Sequence, residues 1–81
     1  MLPPLVVTVS LTVRRHGDRL LALVRLRTAT AVAWRSYAAE TLSLAEQERL
    51  FRRALSSCFP GQAVRARFLL RPLLGGKGIG L

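Results

Sequence analysis

The sequence predicts an α+β fold in which a small mixed sheet, opened by a β-hairpin, is covered by one helix. Three observations predict it. Residues 5–13 alternate strictly in β-branched and apolar residues, a Gly-Asp pair separates this run from a second one, and a helix-capping signal opens a later run with helical periodicity. At 81 residues the chain has room for one domain, placed at 1–74, followed by a flexible glycine-rich tail at 75–81.

The elements follow in order. Leu5, Val7, Val9, Leu11 and Val13 fall on one face of a strand, and Val6, Thr8, Ser10 and Thr12 on the other. Pro3 and Pro4 precede it, where a missing N–H costs least. Residues 14–19 are a polar connection whose Gly17-Asp18 pair suits a hairpin turn. A second strand starts near Leu20. In it Val24, Leu26, Thr28, Thr30, Val32 and Trp34 keep one face while Arg25, Arg27 and Arg35 take the other. Residues 28–40 read two ways. Thr, Val and Trp favour a strand over 28–36, whereas Ala29, Val32, Ala33, Ser36 and Tyr37 also fit an alanine-rich helix. The strand reading is preferred because no cap precedes the segment.

Ser43 and Glu46 have the spacing of a capping box, in which hydroxyl and carboxylate satisfy each other's orphan N–H groups. Leu44, Gln47, Phe51, Ala54, Leu55 and Cys58 then form one helical face, and Phe59-Pro60-Gly61 stops the helix. A last strand is expected from Ala63 to about Arg71, with Val64, Ala66, Phe68 and Leu70 on one face and Arg65, Arg67, Leu69 and Arg71 on the other.

Composition narrows the function. Apolar residues make up 51% of the chain, enough for a packed core. A single cysteine, Cys58, excludes an internal disulfide framework, and no Cys/His group has zinc-ligand spacing. Four acids and one histidine, His16, offer few convergent titratable groups, so catalysis by this chain alone is not expected, nor a cofactor or small-molecule substrate. His16 and Asp18 read as turn residues, Cys58 as a buried small hydrophobe, and Trp34 and Tyr37 as core. The apolar N-terminal run has its charges after it, unlike a secretory signal. Arg25 and Arg27 break the longest later apolar region. The chain therefore reads as soluble and cytoplasmic, with no membrane partner.

The charge is lopsided. Thirteen basic residues stand against four acidic ones, a net charge of +9, and Lys77 is the only lysine. On the alternation above, Arg25, Arg27, Arg65, Arg67 and Arg71 all point away from the helix-covered side. A row of guanidinium groups without neighbouring carboxylates is an anion-binding surface, with nucleic acid or a ribonucleoprotein as its commonest partner. No aromatic interleaves that face on this reading, so contact would be phosphate-led and salt-sensitive. The plainer reading is a solvated face in an arginine-biased chain.

The C-terminus points elsewhere. Leu69-Leu70-Arg71-Pro72-Leu73-Leu74-Gly75-Gly76-Lys77-Gly78 resembles the end of ubiquitin-like, β-grasp modifier precursors. In that family a final strand runs into an extended tail bearing leucine and arginine and closing in Gly-Gly. The resemblance covers the first hairpin and the last dozen residues. It implies that Gly75, Gly76 and Lys77 form the processing and conjugation site, with residues 77–81 removed by a protease. It further implies that Arg71, Leu73 and Leu74 serve tail recognition by activating and conjugating enzymes. Two residues without Cβ can thread a narrow catalytic tunnel and leave an unhindered carboxylate. Removal of 77–81 would leave a modifier with no lysine of its own.

Overall fold

The alternation of the N-terminal run does produce a strand, and in the computed structural model that strand outlasts the pattern. The structure describes residues 3–71. Their elements are β1 (Leu5–His16), β2 (Arg19–Arg27), β3 (Val32–Ala39), α1 (Leu44–Cys58) and β4 (Val64–Phe68). Gly17 takes φ 62°, a left-handed conformation that glycine adopts without a Cβ clash, and the turn it makes lets His16 pair with Arg19. The antiparallel ladder is thereby carried to the tip of the hairpin.

The strands lie in the order β3-β2-β1-β4, with β1 antiparallel to β2, β2 antiparallel to β3, and β4 parallel to β1. The sheet is mixed and one helix covers one face, an α+β fold. Three strands precede the helix and one follows it. Because β1 is central, its inward residues Val7 and Val9 are fully buried, beside Ala22, Val24 and Leu26 of β2. Leu50, Phe51 and Ala54 of α1 close over them. Phe51 meets Phe68 of β4 edge-on, with ring centroids 5.4 Å apart, and ties the last strand to the helix.

No part of 28–40 is helix; Val32–Ala39 form strand β3, which does not run on from β2. Thr28 to Ala31 reverse the chain. The Thr28 hydroxyl accepts hydrogen bonds from the backbone N–H groups of Thr30 (3.3 Å) and Ala31 (3.1 Å), and the Thr28 N–H donates to the Ala31 carbonyl at 2.9 Å. The reversal resets the alternation. Arg27 pairs with Val32 and Arg25 with Trp34, so Val32 and Trp34 share the arginine face and Arg35 moves to the helix side. The sequence expectation had these three the other way round. Trp34 is 52% exposed and is not a core residue, whereas Tyr37 packs against the core as expected.

The helix begins at its expected cap and buries a slightly different face. Ser43 Oγ accepts from the Glu46 N–H at 3.2 Å, but the Glu46 carboxylate turns to Arg49 instead of reaching back, so the capping box is half formed. Leu44 is 49% exposed. Leu42, one residue ahead of the cap, is fully buried, and Leu50 joins Gln47, Phe51 and Ala54 on the buried face. At the other end the Phe59 N–H closes on the Leu55 carbonyl, and Gly61 takes φ 70°.

The last strand stops sooner than the pattern predicts. The parallel ladder is extended by the Leu69 N–H, which donates to the Val9 carbonyl at 2.8 Å. Beyond it the chain is taken by the helix. Gln47, fully buried, accepts from the Arg71 N–H at 2.7 Å and donates from Nε2 to the carbonyls of Arg71 (2.5 Å) and Leu42 (2.8 Å). Arg71 therefore lies past the strand, and alternation does not assign it to the arginine face.

Candidate functional site

Pairing across the sheet decides which side chains share the face away from α1. Adjacent partners point the same way, so β1 contributes Val6, Thr8 and Ser10, β2 contributes Arg25 and Arg27, β3 contributes Val32 and Trp34, and β4 contributes Arg65 and Arg67. Two rows result. One reads Arg67, Thr8, Arg27, Val32 across the four strands; the next reads Ser10, Arg25, Trp34. Four of the five arginines expected on an anion-binding face are thus brought together, and Arg71 is not among them.

The register gives the face a shape. Arg65 and Arg67 stand on one side of β1 and Arg25 and Arg27 on the other, with the short side chains of Val6, Thr8 and Ser10 as the floor between them. With neighbouring strands about 4.8 Å apart, the two arginine lines are separated by roughly 9.6 Å at Cα, and residues within a line by about 6.6 Å. This is a channel walled by positive charge over a floor with two hydroxyl groups. Near its β1 start it opens into a shallow depression bounded by Pro3, Pro4, Arg27 and Ala29.

The same pairing places Arg14 and Arg19 on this face, at the hairpin end. Alternation read from the sequence stops at Val13 and leaves both in a polar connection. The signal that finds them is the two-residue turn, because a turn that tight carries the alternation through to the tip.

Electrostatically the two sides of the protein differ. Asp18 lies in the hairpin turn, Glu40 just after β3, and Glu46 and Glu48 on α1, so no carboxylate stands on a strand. Among the described residues the ion pairs are Glu46 with Arg49 and Glu48 with Arg52, both on the outer surface of α1. Hydrogen bonding from Arg49 holds the Glu46 carboxyl below its ordinary range, and the same contact holds Arg49 above its own. Arg35 donates to Ser57 Oγ at 3.1 Å and to the Trp34 carbonyl at 2.8 Å. Arg52 and Arg53 lie over the rings of Phe68 and Tyr37, at 5.5 and 5.0 Å from the centroids. Arg35, Arg49, Arg52 and Arg53 are thus engaged by acids, hydroxyls or rings, while Arg15, also on the helix side by register, makes no such contact among the described residues.

On the open face the engaged group is Arg25, whose guanidinium carbon lies 5.9 Å from the centre of the Trp34 ring. Its Nε is buried and finds no hydrogen-bond acceptor among the described residues. The expectation that aromatics are missing from this face is corrected by Trp34, which the reversal at 28–31 brings there.

Gly75, Gly76 and Lys77, with Leu73 and Leu74, lie outside the described residues. Among the described residues no group of acids, histidine and cysteine is placed to hold a metal ion, and no helix is long and apolar enough to cross a membrane. Comparison with family models, curated proteins and solved structures finds no match to this chain.

Proposed function

We propose that the protein is a non-enzymatic docking module that binds nucleic acid, free or in a ribonucleoprotein, through the phosphate backbone and the open face of its sheet. One observation carries the reading: Arg25, Arg27, Arg65 and Arg67 flank β1 in a sheet whose strands carry no carboxylate. Each guanidinium is permanently charged and presents donors in a fork that matches phosphate oxygens. Four like charges spread over roughly 10–16 Å at Cα repel one another, and an anion lying among them relieves that repulsion. Neutralising phosphates releases their condensed counterions, so affinity falls steeply with salt.

The test is the anisotropy of a labelled oligonucleotide titrated with protein at low and moderate salt. Tight binding at low salt, weakened by salt and abolished in the double variant Arg65→Glu plus Arg67→Glu, supports the reading. Absence of binding at low salt, or binding untouched by both salt and the double variant, removes it.

A second reading is conjugation through Gly76 after proteolytic removal of residues 77–81, as the resemblance to ubiquitin-like precursors implies. It is favoured by the grip of Gln47 on the Arg71 backbone, which fixes the last described residue to α1. Expressed in cells with an N-terminal tag, the chain would form higher-mass adducts that vanish in Gly76→Ala. If the same bands persist in that variant, or none form, this reading is lost.

A further inference from the structure

Resting on the nucleic-acid reading, we propose that the channel over β1 takes a single strand rather than a duplex, and that Trp34 is the platform on which one of its bases stacks. The geometry of the face separates the two ligands. Proteins that read a duplex insert a helix or ribbon into a groove, and here the one helix among the described residues lies on the opposite side of the sheet. A duplex laid on this face meets arginines with its phosphates and offers Trp34 nothing, because its bases are stacked inside. A single strand offers phosphates and unstacked bases together.

Trp34 has the position that such a platform needs. It is 52% exposed, on an edge strand, in the row that also holds Ser10 and Arg25. A backbone running along β1 between the arginine lines is therefore two strands from the indole, a distance of about 9.6 Å at Cα, which a nucleotide splayed to the side can cover. Arg25 stands between them. It rests against the indole and takes part in neither of the ion pairs among the described residues. An arginine held by a ring and not by an acid is positioned to take a phosphate while the ring takes the base. Thr8 and Ser10 on the floor add hydroxyl donors for the backbone or sugar.

Trp34 is the only tryptophan, so its fluorescence reports this position alone. The experiment uses the full chain and three probes: an oligothymidylate of about twelve nucleotides, a blunt duplex of the same length, and polyglutamate as a polyanion without bases. Oligothymidylate is expected to quench Trp34 and to bind at least about tenfold more tightly than the duplex, as loss or gain of one stacked base would give. By anisotropy, Trp34→Ala should weaken the oligothymidylate by about 5- to 100-fold and leave duplex and polyglutamate unchanged, while Trp34→Phe keeps most of the affinity. Far-UV circular dichroism confirms that both variants fold.

Three results overturn the proposal. Equal affinity for strand and duplex removes the single-strand preference, and a Trp34→Ala effect that is nil, or equal for all probes, removes the platform. Polyglutamate binding as tightly as oligothymidylate turns the face into a site for acidic protein. The parent reading fails separately, when Arg65→Glu plus Arg67→Glu leaves every probe's affinity intact.

Discussion

The two faces of this sheet are built from the same strands and do opposite work. On the helix side, β1 and β2 present valine, leucine and alanine that α1 seals, and Arg49, Arg52 and Arg53 of α1 are paired or stacked. On the open side the alternate residues of the same strands present Arg25, Arg27, Thr8 and Ser10 without acids. The difference teaches where stability and function lie in a small domain. A chain of this size buries only about 60–65% of its unfolded surface, so the covered face has little to spare and the open face contributes little to it.

Substitutions sharpen that contrast, and the largest effect belongs to the covered face. Phe51→Ala removes a ring that is fully buried and packed edge-on against Phe68. It should lower unfolding stability by about 3–5 kcal/mol in urea titration, enough to unfold much of the population at ambient temperature. A loss below about 1 kcal/mol would mean that the helix does not seal the core as described.

Next comes the grip on the last strand's exit. Gln47→Leu fills the space but leaves the Leu42 carbonyl, otherwise bonded in a buried setting, without its donor. A cost of about 1–3 kcal/mol follows, together with faster hydrogen exchange at the Arg71 amide, which donates to Gln47. Unchanged exchange there would show that the clamp is not closed in solution.

Arg65→Gln with Arg67→Gln probes the other face. Both residues are exposed and outside the ion pairs described, so stability should move by no more than about 0.5 kcal/mol in the same titration. A large loss would move these residues from the binding side of the contrast to the structural one.

The smallest effect is acidic. Glu46 has a folded-state pKa below its ordinary 4.5, so its pairing with Arg49 stabilises the fold fully above that value. The contribution is lost as pH falls through the lowered pKa. Both partners are substantially solvated, so Glu46→Gln should flatten the acid limb of the stability curve only slightly and leave neutral pH nearly unchanged. A large neutral-pH loss would contradict the exposed placement of the pair.

Much of this was legible in the chain, for definite reasons. Period-two alternation marked β1 and β2, Gly17-Asp18 marked the hairpin, Ser43 marked the helix start, and Phe59-Pro60-Gly61 marked its end. The reversal at Thr28–Ala31 was not legible, because it contains no Gly, Pro, Asn or Asp. A threonine hydroxyl makes that turn, and the alternation reads through it as if the strand continued. That one missed turn put Trp34 on the wrong face and hid the aromatic of the candidate site. Arg71 was missed for another reason. The strand pattern in sequence continues to it, but a buried glutamine from a distant helix draws its backbone away. Leu44 and Leu50 both stand three residues from Gln47, so spacing alone does not choose between them; the structure buries Leu50 and exposes Leu44.

The central claim is that four arginines on the open face engage phosphate. The logarithm of oligonucleotide affinity, plotted against the logarithm of salt concentration for the unaltered chain and for Arg65→Gln with Arg67→Gln, tests it most directly. Four phosphate contacts to a single strand predict a slope of about −3, falling to about −1.5 in the double variant. A slope near zero, or one that the double variant leaves unchanged, would contradict it.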